Sequence, residues 1–164
     1  MDNHKNLTIT SNHHYHDFPK WFQEARTINA VVSFEDSIFQ WERGVWNNGT
    51  WVNGLWLNGF WEGGVWKNGI WKRGIWARGK WEQGVWEMGS WRNGVWENGI
   101  WKNGTFLAGT WKNGTWMCGT WKAGYWEYGR HKTSMWENGV WINGRYENKK
   151  CLGFDAENRP IVIM

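Results

Sequence analysis

Residues 66–86 read WKNGIWKRGIWARGKWEQGVW, with a tryptophan every fifth residue and a glycine three residues after each. The same W-x-x-G-x unit opens at Trp41 and runs without an insertion to about residue 148. Only Phe106, His131 and Tyr146 stand in for the tryptophan, and glycine fails at Ser134 and Lys149. A period of five is neither the 3.6 of a helix nor the 2 of a plain strand. It fits a corner followed by a short extended segment. Asn-Gly recurs at 48–49, 53–54, 58–59, 68–69, 93–94, 98–99, 103–104, 113–114, 138–139 and 143–144. Both residues tolerate positive φ, which suits a tight turn. In Gly94-Val95-Trp96 and its kin, Gly and Trp share one face of the strand. The residue between them is mostly Val, Ile or Thr and takes the other face.

Three residues between corners are too few for hairpins. Turning the same way at every corner winds a β-solenoid whose coils stack about 4.8 Å apart. Nineteen tryptophans in the tract cannot all face water without a large exposed apolar patch, so they are expected inside. Trp46, Trp66, Trp86, Trp96 and Trp116 are taken as representative of that core, with offset indole stacking at the coil spacing.

The grammar of small residue, spacer, large apolar residue and two more resembles that of pentapeptide-repeat proteins. Gly64-Val65-Trp66-Lys67-Asn68 and Gly94-Val95-Trp96-Glu97-Asn98 match it with Gly and Trp substituted. No unit has the usual Leu core with its Ala partner, so the chain reads as a Trp-based cousin. The resemblance covers roughly residues 41–148. It implies a right-handed, four-sided β-helix with twenty residues per coil.

Two physical tests bear on the number of sides. Among outward charges after each Trp, a spacing of 15 brings opposite signs together, as in Lys72/Glu87, Glu87/Lys102 and Glu97/Lys112. A spacing of 20 stacks like charges, and a spacing of 25 scores nearly as well as 15. Core volume points the other way, because three indoles inside a triangle of five-residue sides look overpacked, at about 1–3 kcal/mol per site. An exposed ion pair contributes only about 0–1 kcal/mol. Volume therefore outweighs charge, and the expected fold is all-β, a right-handed four-sided solenoid of about 5.4 coils.

Such a rod needs covers at its ends. Residues 1–40 are expected to form a small α/β cap, with strands at LTIT (7–10) and TINAVVSF (27–34). A short helix through PKWFQEAR is capped by Asp17, with Pro19 in its first turn. Residues 149–164 are expected to close the other end, CLGF and IVIM forming a hairpin across DAENRP. The final IVIM alternatively pairs with a second copy, giving a homodimer.

Composition bounds the function. Mean hydropathy is −0.74 with no long apolar run, which excludes a transmembrane helix, and MDNHKNLTIT lacks the apolar core of a secretory signal. Cys118 and Cys151 form neither a CxxC pair nor a disulfide framework, so a reducing, cytoplasmic setting is expected. Residues 41–148 carry thirteen Lys/Arg against eight Glu and no Asp, a net +5. That excess serves solubility and also points faintly to anionic partners. With twenty residues per coil, Lys72, Arg92, Lys112 and Lys132 would stack on one face. Arg73 and Arg78 lie nearby in a stretch free of acid from 63 to 81. This basic ladder is the candidate site for a polyanion.

Other candidates are weaker. His13, His14 and His16 lack a fourth ligand and helical spacing, and read as a polar loop. His131 occupies a Trp slot where a twenty-residue coil would set it beside Trp111 and Cys151. A core imperfection explains it better than a Cys/His pair, which would need a substrate cleft. No catalytic triad, carboxylate pair or phosphate loop stands out, so neither an enzyme nor a cofactor is expected. The expected function is a rigid rod binding a protein or an anionic macromolecule through its outer faces, in the manner of a phage or bacterial accessory or inhibitor protein. The DNA mimicry that the resemblance brings to mind requires an acidic surface, which this tract lacks. A carbohydrate- or nucleic-acid-binding module requires outward tryptophans, which would bury Lys80, Arg130 and Arg145 unpaired. A structural component of a larger particle is the remaining alternative.

Overall fold

The computed structural model describes residues 3–132 and 135–147 in full, and 151–154 and 160–163 as backbone strands. From Trp41 onward the chain winds a β-solenoid of about seven turns, in parallel sheets. Each side of a coil holds a two-residue strand such as Val65–Trp66 or Ile100–Trp101, buried at Trp and open at the residue before it. Register is uniform: Val85 pairs with Ile70 and Ile100, and Trp86 with Trp71 and Trp101. Two hydrogen bonds per side tie each coil to the one below. Ile100 N–H donates to the Gly84 carbonyl at 3.0 Å and Lys102 N–H to the Trp86 carbonyl at 2.8 Å.

The coil is thus three-sided, with fifteen residues, and the four-sided expectation is corrected. The volume argument failed because indoles in one coil do not lie flat against each other. Trp76, Trp81 and Trp86 meet edge-to-face, with centroids 6.0–6.1 Å apart and planes at 71–74°. Between coils the indoles stack face-to-face, as at Trp71/Trp86 and Trp76/Trp91, 4.7 Å apart and within 6° of parallel. Both arrangements lie in the favourable range for aromatic pairs, so three indoles fill the triangle without strain.

Glycine makes this nesting possible. Gly99 has φ +128°, and a β-carbon on it would lie 2.5 Å from the Gly84 carbonyl oxygen, the acceptor of the inter-coil bond. Elsewhere along the corner columns the same space also receives an indole edge, as where Trp71 Cζ2 lies 3.2 Å from the corresponding position of Gly74. The asparagine of Asn-Gly does not share the positive φ. Its side chain instead accepts a hydrogen bond from the following Gly N–H, at 2.7 Å for Asn93 and 2.8 Å for Asn103.

The N-terminal cap grows into the first coil. Strands β1 (His4–Lys5) and β2 (Thr8–Ile9) pair parallel with β3 (Arg26–Glu35). That strand forms an antiparallel hairpin with β4 (Ile38–Asn48), which crosses from the cap into the repeat. The connecting Asp36 and Ser37 both have positive φ, 49° and 64°, as a two-residue hairpin turn with right-handed twist demands. Helix α1 spans only Lys20–Gln23, preceded directly by Pro19. Asp17 caps a separate 3₁₀ turn, accepting from His14 N–H at 2.8 Å. Buried Phe18, Phe22 and Phe39 close the open end of the core, and Trp21 packs 5.2 Å from Trp51. At the other end, Cys151–Phe154 and Pro160–Ile163 pair antiparallel. The reading of two reduced thiols is corrected at Cys118, which is buried and disulfide-bonded.

Candidate functional site: the outer faces of the solenoid

Fifteen-residue register sorts every outward residue onto one of three faces. The first face overlies Trp41, Trp56, Trp71, Trp86, Trp101 and Trp116; the second Trp46, Trp61, Trp76 and Trp91; the third Trp51, Trp66, Trp81 and Trp96. Trp46, Trp66, Trp86, Trp96 and Trp116 have no exposed surface, and they divide among all three columns. Each face therefore carries two outward columns, from the residues before and after Trp, and is bounded by corner residues.

This sorting breaks up the basic ladder drawn from a twenty-residue coil. Lys72 and Lys132 fall on the first face, four coils apart, while Arg92 falls on the second and Lys112 on the third. Arg73 and Arg78 occupy two different corners. Three of these six charges find acidic partners one coil away instead. Lys72 and Lys102 flank Glu87 at 3.0 and 3.1 Å, Lys112 reaches Glu97 at 3.2 Å, and Arg78 lies 3.7 Å from Glu62. The Arg92 guanidinium sits over the Phe60 ring, 5.6 Å from its centroid. Burial raises the Glu87 carboxyl, but hydrogen bonds from the two flanking ammonium groups overcome that effect and hold it below its ordinary value. The alternation of sign that favours a fifteen-residue spacing was a true register signal.

What the sequence reading missed is an apolar column on the first face. Leu55, Ile70, Val85 and Ile100 are consecutive rungs, and Ile70 and Ile100 remain 40% and 41% exposed. Beside them runs the Lys72–Glu87–Lys102 ladder. On the second face the apolar run Val45, Phe60, Ile75 ends at Ser90, and on the third Lys80 interrupts Val65 and Val95. The signal was present in the residue before each Trp, but only the correct coil length gathers these four into one line.

His13, His14 and His16 are exposed in the cap loop, and no group of metal-ligating side chains occurs among the described residues. His131 is buried and stacks on Trp116 at 5.9 Å and on Tyr146 at 5.3 Å, not beside Trp111. Burial alone drives its pKa down to about 4, so the imidazole is neutral near pH 7. The side chain of Cys151 lies outside the described residues. Among those residues no helix is long and apolar enough to cross a membrane.

The fold and its faces define a three-sided β-solenoid repeat protein built on stacked tryptophans. In comparisons with protein-family models, curated proteins and solved structures, nothing matches this chain.

Proposed function

We propose that this protein is a non-enzymatic rigid rod that binds another protein along its first face, as an accessory or inhibitory factor of phage or bacterial type. The observation that carries this reading is the four-rung apolar column of Leu55, Ile70, Val85 and Ile100 beside a charge-alternating ladder. Apolar rungs at coil spacing offer a partner a flat area to desolvate, and the neighbouring Lys and Glu supply register. A polyanion would be poorly served, since the positive charges are spread over three faces and largely paired. The kinship with pentapeptide-repeat proteins extends to the five-residue unit with its large residue inward; the fifteen-residue coil departs from it, and no activity is carried over. Indoles with no exposed surface along Trp41–Trp126 leave sugars or bases nothing to stack on there.

The test is affinity capture from extracts of the producing cells. Ile70→Asp/Ile100→Asp is expected to lose the partner that the unaltered protein retains, while Val95→Asp on the third face keeps it. Retention by the first variant and loss by the second would move the binding surface. Binding is also expected to persist in high salt, unlike binding to a polyanion.

A second reading has one observation behind it. Met135, Val140, Ile142 and Tyr146 near the C-terminal end are 67%, 48%, 62% and 57% exposed, which favours end-to-end pairing with a second copy. Light scattering decides: a mass of twice 19.5 kDa supports the pair, and a monomer at high concentration removes it.

A further inference from the structure

We propose that the indole stack conducts an electron hole along the solenoid and delivers it to Tyr146 at the C-terminal end. The third column runs Trp51, Trp66, Trp81, Trp96, Trp111, Trp126 and Trp141 without interruption. Its neighbours lie 4.7–4.9 Å apart and within 6° of parallel. Tryptophan is among the most easily oxidised side chains, and parallel rings in van der Waals contact exchange an electron readily. Phe106 breaks the second column, but edge-to-face contacts lead out of it at Trp91/Trp96 and back at Trp116/Trp121, 5.9 and 5.7 Å between centroids. Trp21 extends the path into the N-terminal cap. At the far end His131 touches Trp126 at 5.2 Å and Trp141 at 5.6 Å, and Tyr146 stacks on His131 at 5.3 Å.

Burial determines which way the hole travels. An oxidised indole in water is trapped when its N–H proton leaves. Here the indole N–H groups of Trp56, Trp66, Trp71, Trp76, Trp81 and Trp86 have no acceptor. Those of Trp51 and Trp101 meet only the neutral carbonyls of Asn68 and Cys118, at 3.1 Å. The radical cation keeps its proton and stays mobile. A cation in this apolar interior is also disfavoured relative to the wet end. Tyr146 is 57% exposed, so on giving an electron to the stack it releases its phenolic proton to water. The product is a neutral phenoxyl radical that needs no counter-charge. Tyr125 and Tyr128 are equally exposed, at 57% and 56%, but Tyr125 takes the outer face of the strand it shares with Trp126, and Tyr128 lies at the corner that follows.

The electron balance is simple. A one-electron oxidant, such as a photogenerated ruthenium(III) bipyridyl complex or an oxygen-centred radical, takes one electron from an indole. Successive hops pass that deficit to Tyr146, which loses one electron to the stack and one proton to solvent. A soluble thiol or ascorbate then restores the phenol by donating a hydrogen atom. The rod would in this way gather oxidising equivalents that land on it at a single reducible phenol.

The experiment places the oxidant at the opposite end. A ruthenium(II) bipyridyl complex is coordinated to exposed His16 in a His13→Gln/His14→Gln/Tyr15→Phe background of the full chain. It is then flash-oxidised in the presence of an electron acceptor. About seven coils at roughly 4.8 Å separate the two ends, a span that a single electron jump covers far more slowly than a series of hops. The expected result is a tyrosyl radical in the electron paramagnetic resonance spectrum that survives Tyr125→Phe/Tyr128→Phe and vanishes in Tyr146→Phe. Its yield is expected to fall at least tenfold when Trp81, Trp86 and Trp91, one whole coil, become Phe. A radical on Tyr125 or Tyr128, or an undiminished yield in the coil variant, overturns the proposal. Should the coil variant not fold, Tyr146→Phe alone decides. A longer-lived indole cation in place of the tyrosyl signal supports conduction, and an unchanged tyrosyl signal ends it.

Discussion

Gly99 sits at φ +128° with the Gly84 carbonyl oxygen 2.5 Å from where a β-carbon would be. Gly99→Ala therefore imposes both a disfavoured backbone conformation and a clash with the acceptor of an inter-coil hydrogen bond. A loss of about 2–4 kcal/mol is expected in chemical denaturation. Asn98→Ala, on the exposed neighbour, should stay within about 0.5 kcal/mol. His131 makes stability depend on pH. Its pKa is lowered from 6.5 to about 4 in the folded chain, so the unfolded state binds more protons between those values. Stability is then full above pH 6.5 and falls as the pH drops toward 4, by up to about 3 kcal/mol. In His131→Phe that slope should disappear between pH 6.5 and 4. Glu87, whose carboxyl is held below its ordinary 4.5, contributes stability that is present above that pH and is lost as the solution becomes more acid. The need for glycine was legible because it recurs at every fifth residue from Gly44 to Gly129. The role of asparagine was misread, since its tolerance of positive φ is indistinguishable in sequence from its skill at accepting the next N–H.

For the two-residue strands, ion ladders and indole stacks contribute very unequally. Glu87→Gln removes one carboxylate from between Lys72 and Lys102. All three side chains are partly exposed, so the expected cost is about 1 kcal/mol or less, shrinking further in high salt. Trp86→Ala empties a slot with stacked neighbours above and below and edge contacts beside it. The expected cost is about 3–5 kcal/mol. Trp86→Phe should cost clearly less, since Phe106 already fills such a slot 4.3 Å from Trp121. Thermal melts of the three variants order these effects. The same contrast explains how the coil length came to be misjudged. The ion pairs are energetically minor, yet Lys72, Glu87 and Lys102 recorded the fifteen-residue register faithfully. The core dominates the energy, yet side-chain volumes say nothing about whether rings lie flat or nest edge-on. The apolar column through Ile70 and Ile100 became visible only after that choice was corrected.

Over the whole rod, each coil rests on its neighbours alone, so coils should be removable in units of fifteen. Deleting residues 91–105 joins Ser90 to Phe106 and returns every later residue to its own face. The protein is expected to stay folded, and X-ray scattering should find it shorter by about 4.8 Å. Deleting only residues 91–93 breaks the five-residue phase, and the C-terminal coils should lose their far-ultraviolet signature. The uniform glycine corners carry a further implication. From Trp41 to Trp101, where Gly follows Gly and Trp stacks on Trp at every level, the tract has almost no means of telling one unit from the next. A chain slipped by five residues would find the same backbone partners and nearly the same rings. The hairpin of β3 and β4, with Trp21 seated on Trp51, is where that ambiguity ends, because its residues occur once. The cap acts as the origin of a ruler whose marks are nearly identical, and winding begun there fixes which rung every later residue occupies.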